Sequence, residues 1–511
     1  MKERRFMLRI PCLLIGLTML LLVFGSCNGK KPNPEETTLP PNTTGSDDGN
    51  TGPKYEYDEN GYIKDRLPAD LSLKQRSFQI LQWSSYQPEF VTDAGADDIN
   101  QALYNRIQNV EQRLKCYVSV QFESGDWDNM TTFIQKVYND SASERNTYDL
   151  VGQYSFVAPS AAMYGCYANL SKVDYLDFEM PWWDSDLLES AQLSGKTYFA
   201  TGDIAPTSIY QNFCMFFNHN MVSAYQDAHG YSVNDLYDLV LKDGGWTLEV
   251  LQTMTKDVYD DVNHNGEADT ADVFGLNVSD FPSYDAFFYA CGMKIVEKDG
   301  NGDFSLSSDF TGMKTSNLID ELRAYLIEKD EVFEGDGADA FQAGRAMFAL
   351  TVFNYPINKL NNVNFKYGVL PVPKYDSSQD RYYSSLAAPY TLYSIPVRCQ
   401  QTSDSGALME ALASDAYRNI SPIIFEEALK LRYSGDYAQN AEVFDLIRAS
   451  RVYDVGRIYG NIMSDKGSKA AFSLFRNSVQ YGTEWGSTLN SMKSTYISSL
   501  QTIRDAFALL D

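Results

Sequence analysis

The feature that most constrains the fold is an alternation of period-two and helical segments. SFQILQW (77 to 83) alternates apolar residues at Phe78 and Ile80 and ends in a tryptophan, as a strand would. DDINQALYNRIQNVEQRLKC follows, with Ile99, Leu103, Ile107, Val110 and Leu114 on one helical face behind the N-terminal charges of Asp97 and Asp98. YVSVQF (117 to 122) is a second strand and WDNMTTFIQKVYND a second helix with Met130, Ile134 and Val137 in register; YDLVGQY (148 to 154) is a third strand. A βαβαβ run closes by right-handed crossovers into a parallel sheet, and ligands of such sheets sit beyond the C-terminal strand ends. Those ends are Gln82-Trp83-Ser84, Phe122-Glu123 and Gly152-Gln153-Tyr154.

What precedes this run is not part of a core. Lys2, Arg4, Arg5 and Arg9 lead into an apolar stretch from Leu13 to Phe24 that is too short to span a bilayer, which predicts an export signal over 1 to 26. Phe24-Gly25-Ser26-Cys27 resembles a bacterial lipobox, with Phe24 where leucine is usual, and predicts acylation of Cys27; the alternative is plain secretion with Cys27 free. The Pro-, Thr-, Asn- and acid-rich stretch that follows predicts a lipid-anchored, disordered tether over 27 to 71. The remaining residues suffice for two or three domains. A formal charge of −26 argues against nucleic acid and anionic membrane as partners, so the membrane is met through the lipid anchor only. Beyond Cys12 and Cys27, cysteines at 116, 166, 214, 291 and 399 form no close pairs and indicate no disulfide framework.

The stretch DDVNHNGEADTAD (260 to 272) places Asp261, Asn263, Asn265, Glu267, Asp269 and Asp272 at positions 1, 3, 5, 7, 9 and 12 of a calcium loop, with Gly266 at the sharp turn and Glu267 supplying its carbonyl. Asp272 stands where a longer, bidentate Glu is usual. Structural Ca2+ is the expected cofactor; an Asx-rich turn without metal is the alternative. With no second loop to pair with, the pattern suits a staple better than a sensor. Catalytic motifs are lacking: there are three histidines (His219, His229, His264), no nucleophile elbow, no His-Glu-x-x-His and no Cys-x-x-Cys. DGNGDF (299 to 304) reads as a hairpin turn rather than a phosphate cradle.

The order of several further stretches resembles the extracellular solute-binding proteins of ABC importers, in particular the carbohydrate-binding lipoproteins of Gram-positive bacteria. They are DRLPADL, the INQALYNRIQNVEQRL helix, PWWDSDLLESAQLSGKTYFATGDI, NFCMFFNHNMVSAY, GGWTLEVL, FQAGRAMFAL, YGVLPVPKY and LAAPYTLYSIP. The resemblance implies an α/β, two-lobed periplasmic-binding-protein-like fold of type II with a hinge of several crossing segments. Lobe one would take 72 to 204 plus 338 to 392, and lobe two 205 to 337 plus 393 to 511, with crossings near Thr201-Gly202-Asp203, Ala340-Phe341 and Tyr390 to Ile395. It also implies a monomer, not an enzyme, on the outer face of the cell membrane, delivering a carbohydrate, expected to be an oligosaccharide, to an ABC permease. A surface carbohydrate-active enzyme, or a two-lobed receptor for a peptide or other polar solute, are the alternatives.

Sugars are held by aromatic faces and hydrogen-bonding groups, and the chain carries 35 Tyr and 28 Phe from which a cleft could be built. The expected ligand contacts are Trp83, Ser84, Tyr86, Gln153, Tyr154, Asp203, Phe353, Tyr355, Tyr390 and Trp485. Trp182, Trp183 and Trp246 are expected to be packing residues, since each opens a helix. The C-terminal stretch predicts a helix with Leu489, Met492, Ile497 and Leu500 on its packed stripe.

Overall fold

The computed structural model describes residues 55–510 apart from 85, 87, 96, 144, 146, 430–436 and 465–468, and describes no side chain at 336, 426–429 and 437. The expected export signal, Cys27 and most of the expected tether lie outside the described residues.

The βαβαβ run forms as its periodicity predicts. Strands β1 (Ser77–Trp83), β2 (Tyr117–Glu123) and β3 (Leu150–Tyr154) are parallel, and β11 (Thr391–Ser394) adds antiparallel to β3, in the order β11-β3-β1-β2. Helix Asp98–Leu114 starts where the Asp97 carboxylate accepts from the Asn100 backbone N–H, a cap of about 1 kcal/mol. It buries Leu103, Ile107, Val110 and Leu114 on one face. Gly152 lets β3 lie close to its neighbours: a Cβ there would stand 2.0 Å from Gln82 Oε1 and 2.7 Å from the Tyr393 ring.

A second sheet carries the other half: β4 (Phe213–Asn218), β5 (Phe274–Val278), β8 (Val332–Glu334), β9 (Ala346–Val352) and β10 (Tyr367–Leu370), in the order β10-β4-β9-β5-β8. Its central strands FCMFFN and AMFALTV are buried along their length except at Val352, as their apolar runs require. The expected hairpin is β6 (Val296–Lys298) against β7 (Phe304–Leu306), antiparallel across the DGNGDF turn.

The boundaries of the two lobes differ from the expected ones. Most of segment 338–392 does not belong with the first sheet: β9 pairs with β4 and β5, and β10 pairs with β4, and only Thr391 and Leu392 at the start of β11 join it. Ala340 and Phe341 therefore mark no crossing; they are buried in a short helix, Asp339–Gln342, packed on the second sheet. Conversely, helix Thr402–Asn419 shares a buried cluster with the first sheet, where Ala407, Leu408 and Leu412 meet Phe78, Ile80 and Val110. Apolar strands and helices of this kind fit either lobe by composition, and strand pairing decides between them. The chain passes from the first sheet to the second after Ala200, which bridges to Tyr393, and before β4, so the crossing near 201 to 203 does lie between the sheets; the return falls between β10 and β11, before the expected 390 to 395, where Thr391–Ser394 is already a strand of the first sheet.

The folded body also begins before residue 72. The Asp65 carboxylate, on a side chain only 2% exposed, accepts both Arg113 nitrogens and the Ser414 hydroxyl at 2.8 Å, while Leu67 is buried and the Tyr62 ring lies 5.8 Å from Tyr417. The segment from Tyr55 is thus packed against the first lobe, because an ion pair and two apolar side chains offset the ordering of a polar strap.

Trp182 and Trp183 are buried and both donate Nε1 to Glu410, and Trp246 donates to the Pro371 carbonyl at 2.8 Å; all three pack the core as expected. Helix Trp485–Leu509 buries Leu489, Met492 and Leu500, but Tyr496 takes the inner position and Ile497 is half exposed, because 492, 496 and 500 keep a four-residue spacing.

Candidate ligand crevice between the two lobes

In a sheet ordered β3-β1-β2, the crossover from β1 to β2 runs one way and that from β2 to β3 the other, so the switch point lies between β1 and β3. Trp83 ends β1, Tyr154 ends β3, and Gln82 registers with Gly152, one residue before the end of β1 and two before the end of β3. The topology therefore sets the Trp83 and Tyr154 rings side by side, with centroids 5.2 Å apart and planes at 31°. Tyr86 leans on the same indole at 5.6 Å. Trp83 is anchored by its Nε1 donating to Thr391 Oγ1 at 2.7 Å, so its ring is fixed before any ligand arrives. Tyr86, by contrast, is 53% exposed.

The second lobe faces this platform with the segment that follows β5. Asp280 caps the turn Phe281–Tyr284, and helix Asp285–Ala290 carries Asp285 and Tyr289. Residues 454 to 476 add Arg457 and Arg476. The Arg476 Nη1 donates to Asp285, and the Arg457 guanidinium carbon lies 5.5 Å from the centre of the Tyr289 ring. The lobes touch across the crevice where Phe472 meets Phe156 at 5.2 Å and Trp127 at 6.2 Å.

The electrostatics show that both lobes reach the platform. The Tyr86 hydroxyl is pushed up by burial and by the carboxylates of Asp126, from the first lobe, and Asp280, from the second. Burial likewise raises Tyr154, which senses Tyr86, Arg457 and Tyr390, and raises Tyr390. All three phenols stay protonated at neutral pH and keep a proton to donate. Burial pulls Arg457 down, but Asp285 and the neighbouring tyrosines more than offset it, so the guanidinium stays charged.

Of the expected contacts, the structure brings together Trp83, Tyr86, Tyr154 and Tyr390, and leaves Ser84 exposed at the end of β1 with its hydroxyl 3.4 Å from the Glu123 carbonyl. It does not bring the others there. Gln153 is fully buried, donating to Ser394 Oγ at 3.1 Å and accepting from the Tyr167 hydroxyl, so its amide is spent on partners inside the first lobe. Asp203 is taken by Arg448, with both oxygens at 2.7 Å, and by Ser421. Phe353 packs 3.6 Å from Phe444, Tyr355 donates to the Ala338 carbonyl at 2.7 Å, and Trp485 packs edge-on to Phe310 at 5.2 Å; all three are core residues.

Arg457, Arg476, Asp285 and Asp280 carry no signal in sequence spacing, since they meet only through the packing of distant segments. Trp127 was within reach of the rule that picked Trp83, because it lies in the loop that leaves the C-terminal end of β2.

The loop at 260 to 272 lies between a bridge, Asp260 to Val273, and β5, on the second lobe. Asp261 accepts from the backbone N–H groups of Asn265 and Gly266, Asn263 Oδ1 from Asn265, Asn265 Oδ1 from Glu267, and Asp272 from Val262 and Asp269. Position 6 is Gly266 in the left-handed region at φ +74°. Backbone hydrogen bonding to Ala271, the leading influence, holds the Asp269 carboxyl low. The backbone path and the mixed Asp, Asn and carbonyl donor set fit a calcium loop. Among the described residues, however, no three His, Cys, Asp or Glu side chains converge as a metal-holding group. The amide oxygens of Asn263 and Asn265 would have to complete the ligand set with Asp261 and Asp269, while Asp272 is buried and occupied by backbone donors.

No protein-family model and no curated protein matches the sequence. Solved structures do match it over most of its length. An ABC substrate-binding protein from Listeria monocytogenes in complex with cycloalternan superposes with a TM-score of 0.51 at 13% identity, covering 84% of this chain and 99% of that one. A maltose/maltodextrin-binding domain from Bdellovibrio bacteriovorus bound to maltotriose gives 0.51 at 13%, covering 84% and 100%. UgpB from Mycobacterium tuberculosis in complex with glycerophosphocholine gives 0.52 at 15%, covering 83% and 98%. The chain has the ABC solute-binding-protein fold. In this solute-binding fold the two sheets form the lobes and the strand ends of β1 and β3 open on the crevice between them. Among the described residues, no helix is long and apolar enough to cross a membrane.

Proposed function

We propose that this chain is an extracellular solute-binding receptor that captures a carbohydrate between its lobes and hands it to an ABC permease. The observation that carries the reading is the Trp83, Tyr86 and Tyr154 platform at the β1/β3 switch point, faced across the crevice by charged and phenolic groups of the second lobe. Aromatic faces suit the C–H faces of a pyranose, and protonated phenols and guanidinium N–H groups suit its hydroxyls. Ligand would favour lobe closure because only the closed form satisfies both sets of groups at once. The similar structures hold cycloalternan, maltotriose and glycerophosphocholine, and two of them are named as binding proteins, which supports capture rather than catalysis.

Two further assignments belong to this reading. Acylation at Cys27 would hold the body at the outer face of the membrane, with the residues before Tyr55 as its leash. The loop at 260 to 272 would hold a structural Ca2+ through Asp261, Asn263, Asn265, Asp269 and the Glu267 carbonyl; its supply of backbone-braced oxygens supports this. A thermal-shift screen against oligosaccharides, with recovery of the sugar afterwards, tests the function. A ligand that raises the melting temperature and returns intact supports it; cleaved sugar with steady turnover overturns it.

A further inference from the structure

Four arginines lie along the segment 448 to 476 that borders the crevice, and their partners are unequal. Arg448 is held by both oxygens of Asp203 at 2.7 Å, Arg451 stands 3.2 Å from Asp184, and Arg476 donates to Asp285. Arg457 is only 8% exposed, yet its Nε and Nη1 meet no hydrogen-bond partner. Its nearest carboxylate oxygen, Asp285 Oδ2, is 3.9 Å from Nη2 and already accepts from Arg476. Asp454, three residues away, is turned elsewhere: it accepts from the backbone N–H groups of Ile295 at 2.6 Å, Gly456 at 2.8 Å and Val296 at 3.2 Å. Arg476 also keeps Nε without a partner. Buried charged donors left unmet are costly, so a cation with two unmet nitrogens, set between Tyr289 on one lobe and Tyr154 and Tyr390 on the other, marks a place for an incoming acceptor.

Charge balance says what kind of acceptor. Arg457 and Arg476 share Asp285, so Arg457 has no carboxylate of its own within hydrogen-bond distance, while Asp280 and Asp126 keep the surroundings from being strongly positive. We propose that the ligand is a sugar bearing a single carboxylate, a uronate, whose charge is received by Arg457; this rests on the carbohydrate reading above. A phosphate ester, at about −1.5 to −2, would overshoot that balance beside Asp280 and Asp126, which already bear on Tyr86. A chain of formal charge −26 repels anions at long range, but within the Debye length of about 8 Å in physiological salt the local guanidinium dominates.

The test is calorimetric titration of the full chain with matched pairs: glucuronate-, galacturonate- and mannuronate-containing di- and trisaccharides against their neutral counterparts, with hexose 6-phosphates as a third arm. At least one acid should bind about tenfold or more tighter than its neutral partner, as expected of a charge-assisted contact in a buried site. Arg457→Met should erase that preference, bringing each acid to within about twofold of its neutral partner whatever the variant does to the affinity for both, a ratio that tracks the charged contact alone. Arg457→Lys, which keeps the charge but not the planar donors, should restore part of it and guards against a Met variant that fails to fold. Neutral sugars binding as tightly as the acids, a preference that survives Arg457→Met, or tighter binding of the phosphates would each overturn the inference while leaving the carbohydrate reading standing. If no member of any arm binds, both fall.

Discussion

Tyr86 and Trp83 share one aromatic platform but differ in burial, and that difference separates binding from folding. Tyr86 is 53% exposed and touches Trp83 at a centroid distance of 5.6 Å, whereas Trp83 is 4% exposed and hydrogen-bonded to Thr391. Tyr86→Ala should therefore cost at most about 1 kcal/mol of stability, the value of one partly exposed ring contact. At about 2.1 cal/mol/K per residue, a body of roughly 450 residues unfolds with an entropy near 1 kcal/mol/K, so the melting temperature should fall by only about 1 °C. Trp83→Ala removes a buried indole and its hydrogen bond, about 3–5 kcal/mol, or about 3–5 °C. For a stacked sugar, loss of the Tyr86 face should cost about 1–2 kcal/mol, which is about 5- to 30-fold in affinity. Thermal shift and calorimetric titration with a sugar bound by the wild type read the two effects separately. If Tyr86→Ala leaves affinity within twofold for every such sugar, the platform is not the ligand floor and the reasoning from the switch point fails.

Three other outcomes are expected. Asp65→Ala should destabilise the body by about 2–4 kcal/mol, below the full figure for a buried pair because Arg113 is partly exposed. Asp65 has a carboxyl held low when folded: burial opposes this, and the hydrogen bonds and charges of Arg113, Ser414 and Arg418 prevail. Its contribution is thus present above the unfolded value of about 3.9 and lost as pH falls through the lower folded value; a wild-type advantage over Asp65→Ala that persists undiminished in strong acid would contradict the pairing. Chelation should lower the melting temperature in millimolar calcium by about 1–2 °C if the loop binds with a dissociation constant of about 0.1–1 mM, and Asp261→Ala should abolish that response; an unchanged wild-type curve removes the calcium assignment. Burial pushes the thiols of Cys116 and Cys166 up to about 11 and those of Cys214 and Cys291 higher than normal, so native thiol titration at pH 8 should leave all four unreacted until denaturant is added; rapid native labelling of any of them would contradict their burial.

The sequence by itself determined the parts that periodicity and local chemistry control. The βαβαβ run, the DGNGDF hairpin and the Thr247 cap, which accepts from Val250, all follow from residues within a turn or two of one another. Because the C-terminal ends of parallel strands are legible in the same way, so were Trp83 and Tyr154. Only the tertiary structure decided which sheet received 346–352 and 367–370, since a fully apolar strand pairs equally well with any edge its register admits. It likewise decided that Asp203 serves Arg448, that Gln153 serves Ser394 and Tyr167, and that Arg457 keeps two nitrogens without an acceptor. A polar side chain's role depends on which partner reaches it first in space, and the partners here lie up to 245 residues away along the chain. No local pattern encodes that distance; packing does.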